Sequence, residues 1–134
     1  MSMTNPTRRS FLTLIGAGLI ASSAEAGDSF VLSGTVTNVA SGPVPVGRLT
    51  IRLEEQGIMD APARLIARTT AISKGDRHSI RFSMRVKRSA LRRAVDPGFT
   101  VRLERHGRLI ATNTTKQGYS GRGKSSLQIE PILY

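Results

Sequence analysis

Three stretches of this chain alternate apolar and polar side chains without a break. They are Leu49-Thr50-Ile51-Arg52-Leu53-Glu54, Ile80-Arg81-Phe82-Ser83-Met84-Arg85-Val86-Lys87 and Phe99-Thr100-Val101-Arg102-Leu103-Glu104. Successive side chains of an extended chain point to opposite faces, so sustained alternation marks a strand with one buried face. Weaker strands are expected over residues 30–37, 65–72, 109–115 and 126–129. The pattern at 65–72 does not settle which face is inside.

Turn signals separate these segments. Gly42-Pro43 and Val44-Pro45 punctuate the first connection, Asp60-Ala61-Pro62 the second and Lys74-Gly75-Asp76 the third. His106-Gly107 fits a two-residue hairpin, with glycine supplying positive φ. Residues 89–95 can form one helical turn before Asp96-Pro97-Gly98 ends it. About seven short strands with turns between them predict an all-β fold, an antiparallel β-sandwich in a single domain. The apolar phases predict the core: Leu32, Val36, Leu49, Ile51, Leu53, Ile80, Phe82, Met84, Phe99, Val101, Leu103, Leu109, Leu127 and Ile129, with Phe82 central.

The first 26 residues read differently. Arg8-Arg9 precede Ser10-Phe11-Leu12, an apolar run follows over residues 11–21, and Ala24-Glu25-Ala26 stands before Gly27. That order is expected of a cleaved export signal, with Arg8, Arg9, Phe11 and Leu12 as the recognised residues and Ala24 and Ala26 at the cleavage site. The paired arginines suit the twin-arginine route, with a Sec signal as the rival. The run is shorter than the roughly twenty residues a membrane span needs. The sequence contains no cysteine, which excludes a lipid-bearing cysteine, a disulfide and a thiolate metal site. Residues 27–134 are therefore expected to form a soluble periplasmic β-sandwich domain without a transmembrane segment.

Cleavage after Ala26 removes Arg8, Arg9 and Glu25, leaving 18 basic and 8 acidic residues, a net charge of +10. Such a charge suits a polyanionic partner. Outside the cytoplasm that points to lipopolysaccharide, anionic phospholipid or wall polymer rather than nucleic acid. The alternative is a basic surface that serves solubility. Arg52, Arg81, Arg85, Lys87 and Arg102 take the polar phase of the alternating strands, and on one sheet they would line its outer face. Arginine grips phosphate or carboxylate through two parallel hydrogen bonds, so Arg52, Arg81, Arg85 and Arg102 are candidate anion contacts. Phe30, Phe82 and Phe99 take apolar-phase positions, which argues against a stacking platform for single-stranded nucleic acid.

Gly118-Tyr119-Ser120-Gly121-Arg122-Gly123-Lys124-Ser125 matches the phosphate-loop pattern G-x-x-x-x-G-K-[ST]. That chemistry needs a helix after the loop. Leu127 and Ile129 at strand spacing, and then Pro131, deny it one. The segment is expected to be a glycine-rich hairpin loop, with Arg122 and Lys124 exposed as further anion-contact candidates. Catalysis finds no foothold: His78 and His106 lack metal-site spacing, and Asp76-Arg77-His78-Ser79 are sequence neighbours at a turn rather than convergent groups. Glu54 and Glu55 are adjacent on a strand and face apart. No catalytic residue, metal or cofactor is expected.

The chain resembles the YbaY and YscW group of small bacterial envelope proteins, which includes type III secretion pilotin lipoproteins. The resemblance is carried by Ser33-Gly34-Thr35-Val36, by Leu49-x-Ile51-x-Leu53 and by Asp60-Ala61-Pro62-Ala63. Ile80-x-Phe82, Asp96-Pro97 and the Gly107-Arg108-Leu109 hairpin complete it. It implies a β-sandwich, an envelope location and no catalytic residues. Many members carry a lipidated cysteine where this chain has Ala26-Gly27-Asp28. The leading expectation is thus a non-enzymatic binding or chaperone-like protein, contacting an envelope protein or an anionic envelope polymer or lipid. The alternatives are a protein–protein adaptor that adds a partner's strand at a sheet edge, and an enzyme acting on cell-wall polysaccharide.

Overall fold

The computed structural model describes residues 28–58, 62–121 and 124–133. The expected signal residues Arg8, Arg9, Phe11, Leu12, Ala24 and Ala26, the turn residues Asp60 and Ala61, and the loop residue Arg122 lie outside them. The described chain is all-β. Its strands are β1 (Ser29–Asn38), β2 (Gly47–Glu55), β3 (Arg64–Ser73), β4 (Ser79–Lys87), β5 (Pro97–Arg105), β6 (Arg108–Thr112), β7 (Gln117–Gly118) and β8 (Lys124–Pro131). A single helical turn, α1 (Arg88–Arg92), follows β4.

Pairing joins the strands in the order β3-β2-β5-β6-β8-β1-β4, with β7 beside β5. The end strands β3 and β4 lie against one another, so the sheet curls into a nearly closed barrel. Two parts of the expected architecture change. A clear two-sheet sandwich gives way to one curled sheet, and β8 runs parallel to β1, from Ser33 opposite Lys124 to Asn38 opposite Ile129. The reason is common to both. Alternation reports which face of a strand is inside, not which strand lies beside it or in what direction. The join between β6 and β8 is short, Ala111 opposite Pro131 and Thr112 opposite Glu130.

The interior holds every expected core residue except Leu109, and adds Val44, Ala67, Val86 and Ala111. The exception has a local cause. Opposite β5, Leu103 faces Ala111 and Glu104 faces Leu109, so Ile110 is an extra residue in β6. Such a bulge reverses the phase across it, turning Ala111 inward and Leu109 onto the side of Glu104. A second bulge explains the ambiguous 65–72 pattern: Leu53 faces Ala67 and Glu54 faces Leu65, leaving Ile66 extra. At the centre, the Phe82 ring meets Phe99 edge-on at 6.4 Å between centroids, and Phe99 meets Tyr119 in the same manner at 6.5 Å.

Side-chain amides close the ladder where strands break off. Between the end of β6 and the start of β7, Asn113 Oδ1 accepts from the Val101 N–H at 2.9 Å and its Nδ2 donates to the Phe99 carbonyl at 2.8 Å. Gln117 treats Gln128 of β8 the same way, accepting from its N–H at 2.9 Å and donating to its carbonyl at 2.8 Å. In each case one primary amide stands in for a missing strand residue, because it carries the same donor and acceptor as a peptide group.

Candidate functional site: a hydroxyl-lined basic depression

The arginines expected on one sheet face are divided by the topology. Arg52 on β2 and Arg102 on β5 are strand neighbours, and each is neutralised by a carboxylate two residues along its own strand. Arg52 Nε donates to Glu54 at 2.7 Å and Arg102 Nε to Glu104 at 3.3 Å. The intervening residue points to the other face, so i and i+2 lie side by side. Glu54 also accepts from the Thr100 hydroxyl at 2.8 Å. This part of the surface spends its arginines on its own carboxylates.

The face formed by β8, β1 and β4 differs. Arg81, Arg85, Lys87 and Lys124 are all exposed there. Neither β1 nor β4 contains a carboxylate, and the one on β8, Glu130, accepts a hydrogen bond from Thr114. Register brings two of the cations to one place. Across the three strands, one row reads Lys124, Ser33, Ser83 and the next reads Ser126, Thr35, Arg81. Short hydroxyl side chains thus fill the middle, with Lys124 and Arg81 at opposite corners. Gly34, between Ser33 and Thr35, has no side chain, and the Phe82 ring lies directly against it. The result is an open depression of about 540 Å³, lined by Ser33, Thr35, Arg81, Ser83, Lys124 and Ser126, with Gly34, Phe82 and Ser125 as its floor. Of the candidate contacts, Arg81 and Lys124 meet in this hollow, Arg85 stands farther along β4, and Arg52 and Arg102 are elsewhere.

Alternation carries part of the signal for these hydroxyls, and puts Ser83 on the polar phase of β4. Ser33 and Thr35 share the outward phase of β1, as Ser126 does on β8. What alternation lacks is the parallel pairing that sets Lys124 beside Ser33.

The phosphate-loop pattern has no phosphate-loop structure. Lys124 and Ser125 open strand β8, and no helix follows. His78 is exposed in the turn before β4, and His106 is exposed at the β5–β6 hairpin. No group of three or more acidic or histidine side chains suited to a metal occurs among the described residues. Glu54 and Glu55 engage different partners on opposite sides of β2. Glu55, only 2% exposed, receives the backbone N–H groups of Gly57, Val95 and Asp96. Burial pushes its carboxyl up, but the three amide donors and the charge of Arg64 outweigh burial and hold it below the usual carboxylate range. That arrangement fastens the loop after β2 to the turn before β5.

No family model and no curated protein matches this chain. Among solved structures, it is similar to an alternative pilotin from the type II secretion system of Vibrio cholerae, at 18% identity and a TM-score of 0.69, covering 79% of this chain and 99% of that one. At that identity the likeness is one of fold, and it extends across the whole of the pilotin domain. No helix among the described residues is long and apolar enough to cross a membrane.

Proposed function

We propose that this chain is a non-enzymatic protein–protein adaptor of the bacterial cell envelope, acting in the periplasm after export. The observation that carries the reading is the likeness of fold to a secretion-system pilotin across that protein's full domain. The seam of the barrel supplies a route for the contact. The end strands β3 and β4 lie together, yet no ladder joins them among the described residues. An unpaired strand edge offers backbone donors and acceptors to an extended segment of another chain. Side-chain specificity would come from exposed residues along β3, including Leu65 and Ile72.

A photo-cross-linking amino acid at Thr70 on β3, and in a second variant at Arg85 on β4, tests this in cells. The same envelope protein is expected on both positions and not on a control position, Arg92 of α1. Equal labelling from Arg92, or no protein adduct at the seam, would end the adaptor reading. Export is tested separately by Arg8→Lys with Arg9→Lys, which is expected to leave uncleaved precursor in the cytoplasm. An unchanged periplasmic yield would assign export to Sec.

A further inference from the structure

We infer that the depression on β8, β1 and β4 is a binding site for a phosphate group, with Arg81 and Lys124 as its two charged arms and Ser33, Thr35, Ser83 and Ser126 as its neutral donors. The inference is separate from the adaptor reading, which uses the seam between β3 and β4.

Geometry supports it first. Neighbouring strands lie about 4.8 Å apart and residues two along a strand about 6.7 Å apart. Two strands over and one row along, the Arg81 and Lys124 Cα atoms are about 12 Å apart on that spacing. Both side chains are long enough to lean inward over the short row between them. An anion seated above Ser33 and Thr35 would be reached from both corners, with hydroxyl donors beneath it. Had the middle of the grid held larger side chains, the two cations would have had nothing to converge on.

Charge supports it second. Arg52 and Arg102 show what this chain does with a strand arginine whose charge is to be balanced internally: a glutamate is placed two residues along. Arg81 is followed at that spacing by Ser83, and Lys124 is followed by Ser126. Neither cation forms an ion pair with a described carboxylate. Two uncompensated cations over a bed of hydroxyls favour a compact, multiply charged oxyanion. Guanidinium and ammonium donors suit phosphate oxygens, and serine and threonine hydroxyls donate to those that remain. A flat carboxylate would use the arginine and leave most of the hydroxyl bed unused.

The source of the phosphate is either a lipid headgroup or a small phosphorylated solute, and the test separates them. The full chain is titrated with inorganic phosphate by calorimetry at low ionic strength. In parallel it is floated with vesicles of phosphatidylglycerol in phosphatidylcholine. Two variants are compared with it: Arg81→Gln with Lys124→Gln, and Arg92→Gln with Arg93→Gln, which removes the same charge from exposed positions at α1. All three proteins carry the same N-terminal residues, so any vesicle binding by that segment is common to them. Loss of two charge-assisted contacts is expected to weaken binding by about tenfold or more, while the α1 variant stays close to wild type. Thermal melting of each protein confirms an intact fold. Phosphate binding without vesicle binding assigns a solute, and vesicle binding that phosphate competes away assigns a headgroup. Vesicle binding lost in the Arg81/Lys124 variant, with no measurable affinity for phosphate alone, also assigns a headgroup. If wild type binds neither, or if the two variants weaken equally, the depression is no phosphate site and the charge acts only in bulk.

Discussion

The Glu55 carboxylate holds the backbone N–H of Asp96 at 3.0 Å, tying the end of β2 to the turn that starts β5. The same carboxylate takes the N–H groups of Val95 and Gly57, so one buried acid organises two chain segments. An ionised acceptor is matched to this site because three donors converge on it. Glu55→Gln puts an NH₂ group against those donors, and its melting temperature is expected to fall further than that of Glu104→Gln on the exposed face. The pH dependence follows from the lowered carboxyl. Folding gains stability from the ionised form above the unfolded value of about 4.3. That contribution is lost as pH falls through the lower, folded value. Acid denaturation of wild type should therefore show this loss, and the Glu55→Gln variant should show a flatter acid limb. Parallel acid limbs would refute the role.

Phe82 fills the middle of the barrel, edge-on to Phe99 and against Gly34. Phe82→Ala is expected to cost about 3–5 kcal/mol, a large part of the stability of a domain this size. Denaturant unfolding checks it. A change no larger than that of an exposed-site variant would mean the ring is not central.

Two glycines separate steric from conformational causes. At Gly34 an added methyl would sit 2.4 Å from the Ser125 carbonyl oxygen and 2.7 Å from the Phe82 ring, so Gly34→Ala must push β8 and Phe82 away. At Gly107 nothing lies within 4 Å, but φ is +76°, and the preceding His106 has φ of +54°. Two positive angles in a two-residue loop make a type I′ turn. Gly107→Ala is then expected to cost about 1–2 kcal/mol from backbone conformation alone. His106→Asn should be neutral or stabilising, since Asn-Gly is favoured in that turn. A destabilised His106→Asn variant in denaturant unfolding would contradict the turn assignment.

These particulars mark how far the sequence reaches. The apolar–polar pattern marks every strand except β7 and thirteen of the fourteen core positions, because burial of one face is a local property of a strand. It failed at Leu109, where one extra residue in β6 reverses the phase. Nothing in the spacing of Leu109-Ile110-Ala111 announces that bulge, since all three are apolar. Arg52, Arg81, Arg85 and Arg102 were legible as outward-facing but not as separate groups. Their grouping depends on which strands are neighbours, and that is fixed by contacts distant in sequence. Lys124 drew notice through a phosphate-loop pattern whose fold is absent, and it reaches the basic depression by a different route, the parallel pairing of β8 with β1. The amide bridges of Asn113 and Gln117 had no sequence signal, because a polar residue between strands reads as loop.

Asn113 gives the sharpest test of those bridges. Its amide satisfies the Val101 N–H and the Phe99 carbonyl on the side of β5 away from β2, where pairing passes from β6 to β7. Asn113→Ala leaves both groups without that partner, at an expected cost of about 1–3 kcal/mol. Asn113→Asp is nearly the same shape and keeps the acceptor for Val101, but it sets a second oxygen against the Phe99 carbonyl. The aspartate variant is therefore expected to be destabilised as well, and less so at acidic pH, where a protonated carboxyl can donate. Hydrogen exchange locates the effect. The Val101 amide should exchange faster in Asn113→Ala and stay protected in Asn113→Asp. The comparison at the second bridge is Gln117→Ala, where the Gln128 amide is exposed and water can replace the side chain, so a smaller loss is expected. Equal protection of Val101 in wild type and Asn113→Ala would show that the side-chain amide does not complete the ladder.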